Sequence, residues 1–345
     1  MGATPPPRPV TDAEVDTFWR DGVVCLRGVM PHDWLARMAG PVEDALTSEA
    51  TADLSQMGDD IAAATGATRT VDQDVHDADG PRGRFAAGTD HWRAQPEFLA
   101  FATRSPLGAL VASVLRADDV WLYEDSVLVK EPGTEERTAF HQDMAYFHLA
   151  GDLVCTTWVP LDQVTAESGA VRYVVGSHRD RTRYRPNLFV TTMAIPGTEG
   201  AEVPDYDDDT QVGDARIVSF DTEPGDVVVH HARTIHGAHA NASATRRRRA
   251  ISVRYAGTGT VFSPVPGAPG KPHHDGVIDG GPSTTSTSPG PGPRSGADRP
   301  QPVKEGETAT GSGAVVVDAS TGPAQGASRS HIHSAPTLPA VVIVA

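Results

Sequence analysis

Apolar positions recur along this chain first at helical spacing and then at the two-residue spacing of strands. Thr11-Asp12-Ala13-Glu14 has capping-box spacing, which predicts a short helix carrying Val15, Phe18 and Trp19 and closed by Gly22. Residues 23–27 read as a strand. Pro31-His32-Asp33 opens a second helix to about Leu46, with Leu35, Met38, Val42 and Leu46 on one face. Residues 48–90 are poor in apolar positions and rich in Asp, Gly and Ala. They read as loops with short elements, either a lid over a site or a surface insertion. Helical spacing returns over residues 96–115 in two pieces broken at Pro106, with Leu107, Leu110, Val111, Val114 and Leu115 as a core-facing stripe.

From residue 119 onward strands dominate. Residues 119–130, 140–147, 153–161, 170–175, 216–220, 227–231 and 250–255 form a run of short β-type segments at the spacing of a sandwich or barrel. After Phe262 the pattern stops. Residues 264–345 contain no aromatic and hold 13 of the 28 prolines, so this stretch offers little with which to bury a core. The organisation expected is a loose N-terminus at 1–10, one domain at 11–265 and a disordered tail at 266–345. His331-Ile332-His333 has the spacing of a metal pair, but inside such a tail it is read as incidental.

Composition narrows the function. A chain of 345 residues with 39% apolar content supports one sizeable core plus appendages. A net charge of −16 disfavours nucleic acid and anionic membranes as partners, and disfavours a large polyanionic substrate unless a local basic groove offsets the charge. Cys25 and Cys155 are too few for a disulfide framework and fit a reducing cytoplasm. No early apolar run has the form of a signal peptide and no stretch reaches membrane-spanning length, so a cytoplasmic protein is expected.

The candidate chemistry lies in Phe140-His141-Gln142-Asp143. On a strand, His141 and Asp143 would share a face. A second histidine, His236, follows 95 residues later, and two histidines with one carboxylate are the facial ligand set of a non-haem ferrous centre. The pair alone also reads as a strand-end histidine bonded to its neighbour. His230, His231 and His239 flank His236 and compete for its role. In the arginine run 246–249, strand parity puts Arg248 on the same face as Ala250, Ser252 and Arg254, opposite Ile251, Val253 and Tyr255.

Taken in order, Lys130 to Pro132, His141-Gln142-Asp143, Trp158, Gly176-Ser177-His178, Gly225-Asp226, His236-Gly237 and Arg248 to Arg254 resemble the phytanoyl-CoA dioxygenase family of Fe(II)/2-oxoglutarate oxygenases. The resemblance spans roughly residues 10–265. It implies a double-stranded β-helix, a jelly roll of cupin type with flanking helices. It further implies Fe(II) held by His141, Asp143 and His236, with 2-oxoglutarate as co-substrate and dioxygen as oxidant. Arg248 would take the far carboxylate of 2-oxoglutarate, a role that suits a planar guanidinium. Trp158 would line the co-substrate pocket or serve as core, and Ser126 and Lys130 match neighbours of that pocket more loosely. Related halogenases carry a small residue in place of the metal carboxylate, so Asp143 favours hydroxylation over halogenation. The reading from a different class is a jelly roll that binds a small ligand without turnover, and desaturation or cyclisation are the other oxidative outcomes.

Overall fold

The computed structural model describes residues 3–66, 71, 75, 82–208, 212–274 and 279–281. Helix α1 (Asp12–Asp21) starts at the Thr11–Glu14 capping box, and Gly22 ends it at φ 83°, a conformation that costs a glycine nothing. Helices α2 (His32–Ala45), α3 (Met57–Thr65), α4 (Pro96–Arg104) and α5 (Leu107–Leu115) follow, with α4 and α5 broken at Pro106 as the sequence implies. No single helix among the described residues is long and apolar enough to cross a membrane.

The remaining elements are strands: β1 (Val23–Leu26), β2 (Thr51–Asp53), β3 (Phe85–Thr89), β4 (Val120–Lys130), β5 (Thr138–Gln142), β6 (Leu149–Ala150) and β7 (Val154–Pro160), then β8 (Val171–Val174), β9 (Ile217–Ser219), β10 (Val227–His231), β11 (Ile235–Ala238), β12 (Arg248–Gly257) and β13 (Val261–Phe262). They form a seven-stranded sheet in the order β1-β10-β7-β12-β4-β3-β2, a four-stranded sheet β5-β11-β8-β9 and the pair β13-β6. Every pairing is antiparallel. The architecture is a jelly roll of cupin type with helices on one side.

Two-residue alternation decides what each face of the large sheet does. Val127, Val129, Val159, Val227, Val229, Ile251, Val253 and Tyr255 face outward and bury against Phe18, Met38, Phe98, Phe101 and the α5 stripe. At roughly 25 cal/mol per Å² of apolar area removed from water, this layer supplies the main drive for folding. The inward face is read in rungs across the strands. Lys130 pairs with Arg248 at one end; next come Leu128, Ala250 and Pro160, and then Ser126, Ser252, Trp158 and Val228. The last rung is Glu124, Arg254, Thr156 and His230, polar and buried throughout.

Two expected boundaries are corrected, and the short elements expected within residues 48–90 are α3, β2 and β3, the two strands extending the large sheet; Phe85-Ala86-Ala87-Gly88-Thr89 is too short and too small in its side chains to announce a strand. The part of this segment at 67–70, 72–74 and 76–81 lies outside the described residues. Residues 4–10 are held: the Thr4 N–H donates to the Arg104 carbonyl at 2.8 Å, the Trp34 indole to Thr4 Oγ1 at 3.2 Å, and Arg8 pairs with Glu14 at 2.6 Å.

The packed chain also continues past 265. Val265 N–H donates to His148 Nδ1, His148 Nε2 donates to the Pro269 carbonyl, and Lys271 pairs with the buried Glu124. Burial raises Glu124, and Lys271 followed by Arg254 opposes that shift. Most of the expected tail, including His331 and His333, lies outside the described residues. Deleting from 266 onward takes the nearer cation from Glu124 and leaves Arg254 at 3.6 Å as its remaining ion partner, so the urea unfolding midpoint is expected to fall.

Candidate active site

The register of the small sheet sets His236 directly across from His141, with ring centroids 4.3 Å apart. Gly237 follows for a steric reason: a Cβ there would lie 2.8 Å from the Thr138 carbonyl oxygen. Each imidazole places Nδ1 against a backbone carbonyl, His141 on Ala139 at 2.8 Å and His236 on Thr234 at 2.9 Å. Those bonds fix the Nδ1–H tautomer and leave both Nε2 lone pairs free.

Asp143 reaches the same point by a different route from the one expected. Strand β5 ends at Gln142 and Asp143 opens a 3₁₀ turn, Asp143–Ala145, so simple strand alternation does not bring the two residues together. The Met144 N–H donates to the Ala232 carbonyl and the Tyr146 N–H to the Asp143 carbonyl, both at 2.9 Å, which turns the chain back. The Asp143 carboxylate then lies between the sheets, its Oδ1 3.8 Å from His141 Nε2 and 3.6 Å from His236 Nε2. One donor atom from each of the three residues lies within 4.8 Å of the other two, and all three residues are buried. Two neutral imidazoles and one carboxylate suit a divalent first-row metal ion and leave coordination positions open.

Electrostatics agree with that donor set. Burial, then repulsion from His236, pushes His141 down to about 3; burial, then repulsion from His230, pushes His236 down to about 4. Burial alone would raise Asp143. The attraction of His236 and the hydrogen bond from His230 outweigh it and hold the carboxyl well below its usual range.

The site opens into a cavity between the two sheets, lined by Phe85, Leu128, Trp158, Tyr173, Phe189 and Arg248. Arg248 stands in its wall, buried, with its guanidinium 5.8 Å from the centre of the Trp158 ring. Desolvation lowers Arg248 to about 10, so it stays charged at neutral pH. Arg248 Nε, Trp158 Nε1 and the Tyr173 hydroxyl have no hydrogen-bond partner among the described residues. Three buried donors without an acceptor around one cavity call for an anion. By contrast Arg246, Arg247 and Arg249 pair with Glu167, Glu43 and Asp162 near the surface.

Ser126 and Lys130, expected beside the co-substrate, do not line the cavity. Ser126 Oγ accepts from Arg254, and the Lys130 ammonium is committed to the Glu136 and His239 carbonyls at 2.7 and 2.6 Å. His231 donates to the Asp152 carbonyl at 2.9 Å, away from the donor set.

Tyr173, Thr156 and Phe189 line the cavity and went unnoticed in the sequence. Parity along β7 could have found Thr156, which shares a face with Trp158. Phe189 holds φ 63°, unfavourable for a bulky residue, and packs its ring 5.2 Å from that of His141. Asn187 Oδ1 accepts from the Phe189 N–H at 3.0 Å and helps to fix that turn.

The sequence profile of the family described as Phytanoyl-CoA dioxygenase (PhyH) matches residues 18–250. Over 127 residues the chain is 30% identical to a probable phytanoyl-CoA dioxygenase of Caenorhabditis elegans, covering 35% of this chain and 36% of that protein. Over 139 residues it is 24% identical to a probable alpha-ketoglutarate-dependent hypophosphite dioxygenase of Stutzerimonas stutzeri, covering 40% and 46%. The chain thus spans less than half the length of these curated relatives. Among solved structures, the fold is similar to that of SnoK, a non-heme alpha ketoglutarate dependent carbocyclase from nogalamycin biosynthesis. The TM-score is 0.60 at 21% identity, over 85% of this chain and all of that one. It is also similar to the epimerase SnoN in complex with Fe3+, alpha ketoglutarate and nogalamycin RO, with a TM-score of 0.56 at 22% identity over 81% and 97%.

Proposed function

The chain belongs to the phytanoyl-CoA dioxygenase (PhyH) family of Fe(II)/2-oxoglutarate oxygenases, and from that premise we propose that it hydroxylates a small organic molecule, with tailoring of a secondary metabolite as the context. The observation that carries this reading is the pairing of two features in one cavity: three convergent metal-type donors and, apart from them, the partnerless donors of Arg248, Trp158 and Tyr173. A ligand that meets both must chelate at one end and carry an anion at the other, as 2-oxoglutarate does.

In this reading His141 Nε2, His236 Nε2 and Asp143 Oδ1 hold the iron. Arg248 takes the far carboxylate with its planar fork, and the Tyr173 hydroxyl and Trp158 N–H complete the acceptors' needs. Phe85, Leu128, Val171 and Phe189 form apolar walls that exclude water and so strengthen these polar contacts. Iron held by these three residues would supply dioxygen activation coupled to decarboxylation of 2-oxoglutarate, an overall conversion that places one oxygen atom in succinate and the other in the hydroxylated product and releases CO2.

Isotopically labelled dioxygen tests the outcome. Hydroxylation puts one labelled atom in the product for each succinate formed. A product short of two hydrogens and free of label would assign desaturation or cyclisation. Binding of 2-oxoglutarate with no succinate from any substrate would leave a ligand-binding jelly roll.

The site also has an expected pH dependence. Protons compete with metal for the imidazole nitrogens, so depressed values protect binding against acid. With His141 near 3 and His236 near 4, both stay neutral at pH 5, where an ordinary histidine of pKa about 6.5 would be mostly protonated. Co(II) affinity is therefore expected to hold from neutral pH to about 5 and to fall as pH passes through about 4. A loss beginning near 6.5 in an anaerobic titration would contradict the assignment.

A further inference from the structure

The last rung of the large sheet faces the proposed metal carboxylate. Thr156 on β7 and His230 on β10 are cross-strand partners, both buried. Both donate to the same Asp143 oxygen, Oδ2: Thr156 Oγ1 at 2.5 Å and His230 Nε2 at 3.1 Å. The other oxygen, Oδ1, lies closest to the Nε2 atoms of His141 and His236. The two oxygens of one carboxylate therefore have different tasks.

We propose that His230, assisted by Thr156, is a positioning residue that reserves Asp143 Oδ2 and so restricts the aspartate to a single metal-binding oxygen. The inference rests on the iron reading above and adds a device to it. A carboxylate free to turn about its last torsion can offer both oxygens to one cation and fill a second coordination position. An oxygenase of this kind needs its remaining positions for a chelating co-substrate and dioxygen. Two donors arriving from adjacent strands fix the carboxylate plane, which a single donor would not.

His230 is suited to that task by its packing. Its ring centroid lies 5.3 Å from that of Tyr173 and 4.3 Å from that of His236, so its own orientation is set by neighbours. Its Nδ1 is buried without a partner among the described residues, and no backbone carbonyl competes for the ring as one does for His141, His231 and His236. The hydrogen bond to Asp143 is the polar contact the ring makes. An ordinary core position would not select an imidazole here, where the rung below ends in Val228.

The test uses His230→Phe, which keeps the ring and removes the donor, His230→Gln, which restores an N–H donor, and Thr156→Val. Anaerobic Co(II) titration gives metal affinity, and thermal melting of the apoproteins reports whether each variant folds. Loss of an outer partner of a metal ligand costs about 10–100-fold in affinity. His230→Phe is expected to lose that much while remaining folded, His230→Gln to recover most of it, and Thr156→Val to lose a similar factor. The metal-loaded His230→Phe protein should also bind 2-oxoglutarate more weakly, because the released oxygen occupies a needed position. If His230→Phe does not fold, Thr156→Val decides the matter. Wild-type metal and 2-oxoglutarate affinity in folded His230→Phe, or in Thr156→Val where His230→Phe does not fold, would overturn the proposal and leave the iron reading intact. A wild-type protein that takes up no Co(II) or Fe(II) would overturn both.

Discussion

Asp143→Ala is expected to reduce succinate formation to background and to weaken Fe(II) binding by more than the 10–100-fold that loss of an outer hydrogen-bond partner costs. The substitution removes the one anionic donor and leaves two neutral imidazoles facing each other at 4.3 Å. It also strands the Thr156 hydroxyl and the His230 N–H, whose shared acceptor is Asp143 Oδ2. Asp143→Asn separates these effects, since it keeps the shape and an acceptor but removes the charge. Isothermal titration with Fe(II) under argon, beside circular dichroism, distinguishes loss of the site from loss of the fold. Retention of wild-type iron affinity in a folded Asp143→Ala protein would remove this residue from the metal site.

The second large effect is expected at Arg248. Its guanidinium is buried on the inner face at the first rung of the large sheet, six residues along β12 from Arg254. Removing one member of a buried charge pair costs about 2–5 kcal/mol, which is a rise in the 2-oxoglutarate dissociation constant of thirty-fold to several thousand-fold. Arg248→Ala should therefore lose co-substrate binding while Fe(II) affinity stays near wild type. Arg248→Lys should recover only part, because a point charge replaces a planar fork. Arg247→Ala is the internal control. Its side chain pairs with Glu43 and Glu131 near the surface, and its loss should change neither affinity. Equal losses in the Arg247 and Arg248 variants would mean that the arginine run acts by general charge.

These two residues show what the sequence could and could not reveal. Arg248 was legible because β12 is long and strictly alternating: Ile251, Val253 and Tyr255 must pack on the helices, which turns Arg248, Ala250, Ser252 and Arg254 inward. His141 and His236 were legible as a motif, and their apposition follows from a register that the spacing alone does not contain. The path to Asp143 was not legible. The turn that places it depends on the bond from Met144 to Ala232, 88 residues away in sequence. The same holds for His230. As a sequence feature it was one histidine among several near the metal position, and its task emerges only when β7 and β10 set it beside Thr156. The chain beyond 265 misled for a compositional reason. A stretch without aromatics cannot build a core of its own, but Lys271 can still complete one by answering the charge of Glu124.

Much of the site is thus an outcome of strand register. The small sheet supplies the two imidazoles, the turn after β5 supplies the carboxylate, and the large sheet supplies Arg248 at one rung and the Thr156–His230 pair at another. The rungs between them, with Leu128, Ala250, Ser252 and Trp158, separate the cation from the metal donors by a largely apolar space. That separation is the feature a chelating dicarboxylate would read.

The central claim is tested most directly by adding Fe(II) and then 2-oxoglutarate to the apoprotein without oxygen and recording the visible spectrum. A metal-to-ligand charge-transfer band should appear in the wild type, vanish in Asp143→Ala and require far more 2-oxoglutarate in Arg248→Ala. A folded wild-type protein that gives no band at saturating iron and 2-oxoglutarate would contradict the claim.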